Sequence, residues 1–310
     1  MQRGNDELNG VIVVNKPQGP TSHDVVNAVR KISGQRRVGH LGTLDPIATG
    51  VLPLCVGRAT RLAQFLQEGM KRYEATLLLG VTTDTQDVSG TVTAQRNVLP
   101  EIADKLDAAA RSFIGDISQM PPAYSAVKHS GTPLYKFARR GEPVDAAPRT
   151  VSITELDVRA VRLPWVEITV ECSRGTYIRT LCHDIGETLG CGATLAQLRR
   201  TVSGRFSEED AVELHLLRTR SDVESRLTSP GDLLDELGLV VVIGNEREMV
   251  LHGREVCRRA VGTARSEPTQ EAGGGLIRVY DEGGAFLALA EARCEGDDTY
   301  IVPRKVLATH

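Results

Sequence analysis

The chain has 310 residues, 41% of them hydrophobic and 25% charged, with a net charge of −3. This is ordinary globular composition, long enough for one large domain or two. It has no run of about 18 apolar residues and no basic, then apolar, leader at its start, and its six cysteines form no C-x-x-C pair. A membrane span, a signal peptide, a disulfide framework and a zinc site are therefore not expected, and a reducing cytoplasm is.

The net charge hides an asymmetry. Residues 16–72 hold nine Lys/Arg against three Asp/Glu, and residues 205–240 hold four against nine. Such a split suits a basic face with an acidic back, or a chance solvated surface.

In chain order, residues 11–15 form a short apolar run bounded by Gly10 and Lys16-Pro17, which predicts a buried strand. A helix follows, capped by Thr21 or Ser22, with Val25, Val26, Val29 and Ile32 at helical spacing and Gly34 as its stop. Residues 39–50 read Gly-His-Leu-Gly-Thr-Leu-Asp-Pro-Ile-Ala-Thr-Gly, with Arg36 and Arg37 before and Arg58 and Arg61 after. By itself an Asp-Pro in a Gly-rich loop is a turn. A lone acid among cations also suits a nucleophile or general base aimed at an anionic substrate.

A second short helix is expected over residues 60–67. A strand over 71–79 then puts Tyr73, Ala75, Leu77 and Leu79 on one face. Another strand (91–95) and a helix (100–113) follow. Residues 120–150 are proline-rich and basic, with Tyr124, Tyr135 and Phe137 among Lys128, Lys136, Arg139, Arg140 and Arg149. This predicts a mostly irregular insertion with a short helix near 133–140. Cations meet phosphates and rings meet bases, so the loop suits nucleic acid; a solvated loop is the alternative.

Residues 151–162 and 166–173 predict a hairpin turned at Leu163-Pro164. In the helix that follows, Ile178, Leu181, Cys182, Ile185 and Leu189 share an apolar face. A strand is expected over 193–206. Ser207 with Asp210 predicts a capping box for a helix over 208–217. After about Leu237 come short β-like runs between glycine turns, a small β domain of about seventy residues. Residues 262–275 read as a low-complexity loop. Walker A, a complete G-x-G-x-x-G and H-E-x-x-H are all missing, which argues against ATP, NAD and metal chemistry.

These motifs, taken together and in order, resemble the bacterial tRNA pseudouridine-55 synthases, the TruB family. The matching segments are residues 10–22, 39–50, Lys71-Arg72-Tyr73, 122–128 and 173–180, collinear from about residue 9 to 206. The resemblance implies an α+β pseudouridine synthase fold, with a long, mostly antiparallel curved sheet flanked by helices. Residues 1–236 would form the catalytic domain, and 237–310 a small β-barrel, PUA-like RNA-binding domain. It implies isomerisation of a T-loop uridine of tRNA to pseudouridine, without metal or organic cofactor.

By the same resemblance Asp45 is the catalytic carboxylate and Tyr73 the active-site tyrosine. Tyr177 and Arg179 line the pocket, and His40 fills the gap left by a flipped base. Lys16, with Pro17, packs beneath the catalytic loop. Lys16, Leu198, Lys128, Lys136, Arg139 and Arg140 stand among the substrate- and RNA-contacting residues. The expected partner is tRNA, through its T-arm and its acceptor stem, the latter on the C-terminal domain; no obligate protein partner is expected. Arg179 beside Asp45 is expected to lower the aspartate pKa by about 1–3 units. Two rivals remain: a relative working with guide RNA, and an RNA-binding protein without chemistry.

Overall fold

The computed structural model describes residues 7–142, 144, 146–259, 275–296 and 298–308. Its centre is a ten-stranded sheet. From one edge the strands run Ala211–Glu213, Gly10–Lys16, Ala48–Val56, Ala193–Ser203, Lys71–Leu79, Trp165–Cys172, Arg149–Arg162 and Gly115–Gln119. Val38–His40 joins Ala48–Val56, and Phe206–Ser207 joins Ala193–Ser203. Two pairings are parallel, Gly10–Lys16 with Ala211–Glu213 and Ala48–Val56 with Ala193–Ser203; the rest are antiparallel.

Side-chain alternation sets which way each strand faces. Tyr73, Ala75, Leu77 and Leu79 are buried, whereas Arg72 and Glu74 are exposed. The helix Ile178–Thr188 lays Ile178, Leu181, Cys182 and Ile185 into the same core. The helix Ser22–Ser33 starts at Thr21, whose capping box with Asp24 satisfies both ends, and stops at Gly34 with φ 68°.

The expected helix over 208–217 does not form. Ser207 and Asp210 do make a capping box, but around a single 3₁₀ turn, Glu208–Asp210. The chain then extends as Ala211–Glu213 and pairs with Val13, Val14 and Asn15. A free sheet edge and a pocket for Val212 outweigh local helical preference, as tertiary context often does.

The C-terminal unit is a curled five-stranded sheet, ordered Gly238–Val242, Leu276–Asp281, Phe286–Glu295, Asp298–Val306 and Val256–Arg259, with the helix Gly244–Leu251. It is a half-barrel whose two edge strands are bridged by a side chain: Arg258, on one edge, donates to the Val241 carbonyl on the other at 2.6 Å. The loop expected over 262–275 lies outside the described residues except for Gly275.

This unit shares a core with the first. Leu289 and Leu307 pack with Val11, Val13, Val51 and Phe206. Arg278 also donates to the carbonyls of Gly231 and Leu237 at 3.0 Å each. Each fully buried aliphatic side chain contributes roughly 1.5–3 kcal/mol, a large share of the about 5–15 kcal/mol stability of a typical protein. The C-terminal sheet is thus docked to the main one and is not a tethered module. Among the described residues no helix is long and apolar enough to cross a membrane.

Candidate active site

The loop of residues 39–50 is held from beneath by buried side chains. Ser22 Oγ donates to the Leu44 carbonyl at 2.9 Å and accepts from the Leu44 amide at 2.8 Å. Lys16 is fully buried, and its ammonium donates to the carbonyls of Ala48 at 2.6 Å, Pro17 at 3.0 Å and Pro46 at 3.5 Å. That places it beneath the loop and removes it from the surface, so the expected contact with RNA is replaced by a supporting role. Burial lowers the Lys16 pKa to about 8, with the Asp45 charge opposing that shift.

Arg200 is a support that was not recognised in the sequence. Its side chain is fully buried. Nε donates to the Val51 carbonyl at 2.8 Å, Nη2 to Gly42 at 3.1 Å and Nη1 to Thr43 at 3.4 Å. The Arg200 backbone also dictates Gly50: a Cβ there would lie 2.2 Å from the Arg200 carbonyl oxygen, and φ is +99°. The one signal was Arg200 at an inward strand position, two residues after Leu198. A charge there must be satisfied by something.

Asp45 leaves this cradle toward Arg179. Arg179 Nε lies 2.9 Å from Asp45 Oδ2, an ion pair without the alignment of a hydrogen bond. Arg179 is buried at the start of its helix and donates to the Thr85 carbonyl at 3.0 Å and the Tyr124 carbonyl at 3.1 Å. Its Nη1 is also 3.7 Å from Asp87, itself buried in a turn with Thr85 and Ser89. Arg179 therefore joins the loop of residues 39–50, the turn after the short strand Val81–Thr83 and the base of the insertion.

The expected depression of the Asp45 pKa does not prevail. About a third of the side chain faces the cavity (34% exposed), but the cavity walls are protein. Burial pushes the carboxyl above its ordinary value, Arg179 pulls it back, and the like charge of Asp87 adds to the rise. Desolvation outweighs the partner here.

A cavity of about 240 Å³ opens on Asp45, Tyr73, Tyr177, Arg179 and Leu198, together with Lys71 and Ser125. Five residues expected at the site are thus brought to one wall. Tyr73 is buried, and burial raises its phenol pKa while neighbouring Arg200 lowers it. Tyr177 precedes its helix and is fixed at the backbone by Gln119, which accepts from the Tyr177 amide at 2.8 Å and donates to its carbonyl at 3.1 Å. A larger concavity, about 580 Å³, lies on the sheet face of Glu74, Thr76 and Glu167 and holds none of Asp45, Tyr73 or Arg179. The residues expected at the site line the smaller one.

His40 ends the strand Val38–His40 and does not line the cavity. Its Nδ1 accepts weakly from the Gly42 amide at 3.4 Å. Burial, then the charge of Arg200, lowers its pKa and favours the neutral ring. Lys128, Lys136, Arg139 and Arg140 are exposed on the insertion, apart from the cavity. The short helix expected there spans Leu134–Ala138. Arg139 lies over the Tyr135 ring at 5.4 Å and Arg140 over Phe137 at 4.7 Å. Among the described residues no cluster of three or more His, Cys, Asp or Glu could hold a metal ion.

One carboxylate, a ring on the central strand and a buried arginine, set on a mixed sheet with an appended half-barrel, define the pseudouridine synthase class. Two solved structures share the fold. A Cbf5–Nop10–Gar1 complex matches with TM-score 0.68 and 28% identity, covering 97% of this chain and 85% of that one. A structure of an H/ACA RNP bound to a substrate RNA containing 2′-deoxyuridine matches with TM-score 0.66 and 27% identity, covering 96% and 85%.

The sequence places the chain more closely. Residues 30–178 match the N-terminal domain of the TruB family pseudouridylate synthases, and residues 179–237 the tRNA pseudouridylate synthase B C-terminal domain. The tRNA pseudouridine synthase B of Geotalea uraniireducens is 43% identical over 299 residues, covering 94% of each chain. That of Thiobacillus denitrificans is 41% identical over 310 residues, covering 100% of this chain and 99% of the other. The chain belongs to the TruB family of pseudouridylate synthases.

Proposed function

We propose that this protein converts the T-loop uridine of tRNA, at position 55, to pseudouridine, with Asp45 as the catalytic carboxylate. The observation that carries the reading is the Asp45–Arg179 pair opening into the Tyr73 cavity. The reaction is an isomerisation. The C1′–N1 bond breaks, the base turns, a C1′–C5 bond forms, and a proton leaves C5 as N1 gains one. No electrons enter or leave, so the chemistry asks for no redox cofactor. A carboxylate at C1′ acts as nucleophile or as base, and either role needs the ionised form. Arg179 favours that form, while burial makes the carboxylate more basic than a solvated one.

A uridine inside structured RNA must be flipped out to reach Asp45, at a cost of a few kcal/mol. Tyr73 and Leu198 offer the base its stacking wall. His40, on the same loop, takes the vacated place. The insertion, residues 120–150, closes over the T-arm, and the unit from residue 237 onward holds the acceptor stem. Residues 1–236 are then the catalytic domain. Identity of 41–43% to relatives named tRNA pseudouridine synthase B, against 27–28% for the chains of the Cbf5–Nop10–Gar1 complex and the H/ACA RNP, favours a tRNA substrate.

The test uses unmodified tRNA transcript without guide RNA, with pseudouridine mapped by position. Wild-type protein should modify position 55. Asp45→Asn should bind the transcript within a few-fold of wild type and lose at least about 10³-fold in single-turnover rate, as when a principal catalytic group is removed. Turnover of Asp45→Asn near wild type would overturn the assignment.

A further inference from the structure

Besides Arg179, three buried or half-buried cations surround the catalytic loop, and they differ in how they are satisfied. Lys16 donates to three carbonyls, and so does Arg200. The third is Lys71, the first residue of the strand that carries Tyr73. It lies on the same strand face as Tyr73 and lines the same cavity. Its ammonium is set against the loop: a Cβ added to Gly42 would lie 3.0 Å from Lys71 Nζ and 3.6 Å from Arg200 Nη1.

Among the described residues, the Lys71 ammonium makes no hydrogen bond and no ion pair, although its backbone is paired in the sheet. The cavity's carboxylate, Asp45, is paired with Arg179 instead. Burial and then the charge of Arg200 bring its pKa down to about 8, with Cys172 opposing and Arg174 adding to the fall. A half-buried ammonium among cations and without an anion is costly. A bound anion removes that cost.

We propose that Lys71, with exposed Arg174, whose chain neighbour Gly175 lines the cavity, is the binding site for a phosphodiester flanking the target uridine. The proposal rests on the reading that the cavity takes a nucleotide of RNA. At about 240 Å³ the cavity is smaller than the roughly 300–1,000 Å³ of a drug-sized ligand site, a size that suits one flipped base. The phosphates joined to that nucleotide must then pass its mouth. Lys71 positions the nucleotide and takes no part in bond making. It fixes the backbone on the Gly42 side of the loop, so that C1′ is held against Asp45. The basic insertion gives no such placement, because its exposed cations do not line the cavity.

The test is binding of a T-arm stem-loop RNA to Asp45→Asn protein, in which chemistry is silent. An uncharged methylphosphonate replaces, one at a time, the phosphates on either side of the target uridine. One replacement should weaken binding about tenfold, the loss of one charge-assisted contact. Adding Lys71→Met should weaken binding of the fully charged RNA by about the same factor, and the methylphosphonate should then cost less than twofold more. Lys71→Arg should restore most of the loss, which also reports an intact fold. Equal methylphosphonate penalties with and without Lys71→Met would overturn the proposal. So would unchanged RNA affinity of Lys71→Met with a slower single-turnover rate at saturating RNA, which would put Lys71 in the chemistry. No pseudouridine from wild-type protein would instead refute the functional reading itself.

Discussion

The loop of residues 39–50 and the insertion of residues 120–150 both contribute to the cavity wall, yet they are built in opposite ways. The loop is pinned by side chains from three distant elements: Lys16, Ser22 and Arg200 satisfy its backbone from below. The insertion is held mainly by its own short-range contacts. Its amides at Leu134 and Tyr135 bond to Val127 and Ser125, and two of its arginines lie over its own rings. A long-range tie, Arg179 to the Tyr124 carbonyl, joins its base to the site, and Arg149 and Thr150 at its end pair with Gln119 and Ser118 in the sheet. A carboxylate that attacks or deprotonates must be placed within a fraction of an ångström, whereas a surface that grips RNA must first admit it. Long-range side-chain support is concentrated at the loop that carries the proposed catalytic carboxylate.

Removing the loop's deepest support should break that contrast most severely. Arg200→Met leaves the carbonyls of Gly42, Thr43 and Val51 unpaired, at about 1–3 kcal/mol for each buried acceptor that finds no other donor. The single-turnover rate should fall at least about 10²-fold, the scale of a small misplacement of reacting groups. Thermal melting should fall as well. A variant with both near wild type would show that the loop holds its shape alone.

Charge removal on the insertion should act on affinity and leave turnover largely intact. Replacing Lys136, Arg139 and Arg140 together with alanine should weaken tRNA binding about tenfold and flatten its salt dependence by about 0.7–0.9 per lost phosphate contact. The saturated single-turnover rate should stay within about threefold. An unchanged salt slope would show that these cations do not face phosphates.

A smaller effect probes the electrostatics under the loop. Burial and Asp87 both raise the Asp45 pKa. In the proposed reaction the ionised carboxylate is the working form, so activity should be lost as pH falls through that raised value. Asp87→Asn removes the like charge, and the acid limb of kcat/KM should move to lower pH. A limb that stays put would show that Asp87 only shapes its turn.

Much of the frame could be read directly from the residues. Alternation from Lys71 to Leu79 gave the strand and put Tyr73 inward; helical spacing and Thr21–Asp24 gave the first helix. The Gly- and Pro-marked loop singled out Asp45. Local reading failed at residues 208–217, where the capping box was correct and the helix was not. It also missed Arg200, Gln119 and the support role of Ser22. Each of these acts on a segment between 22 and 158 residues away in the chain.

The sequence by itself determined the periodic elements, the turns and the residue types available for chemistry, because these depend on neighbours within a few positions. Tertiary structure decided which side chains meet and in what medium. It brought Asp45 to Arg179, sank Lys16 and Arg200 beneath the loop, and left the Lys71 ammonium without an anion among the described residues. It also reversed the expected direction of the Asp45 pKa, since desolvation depends on everything packed around a charge.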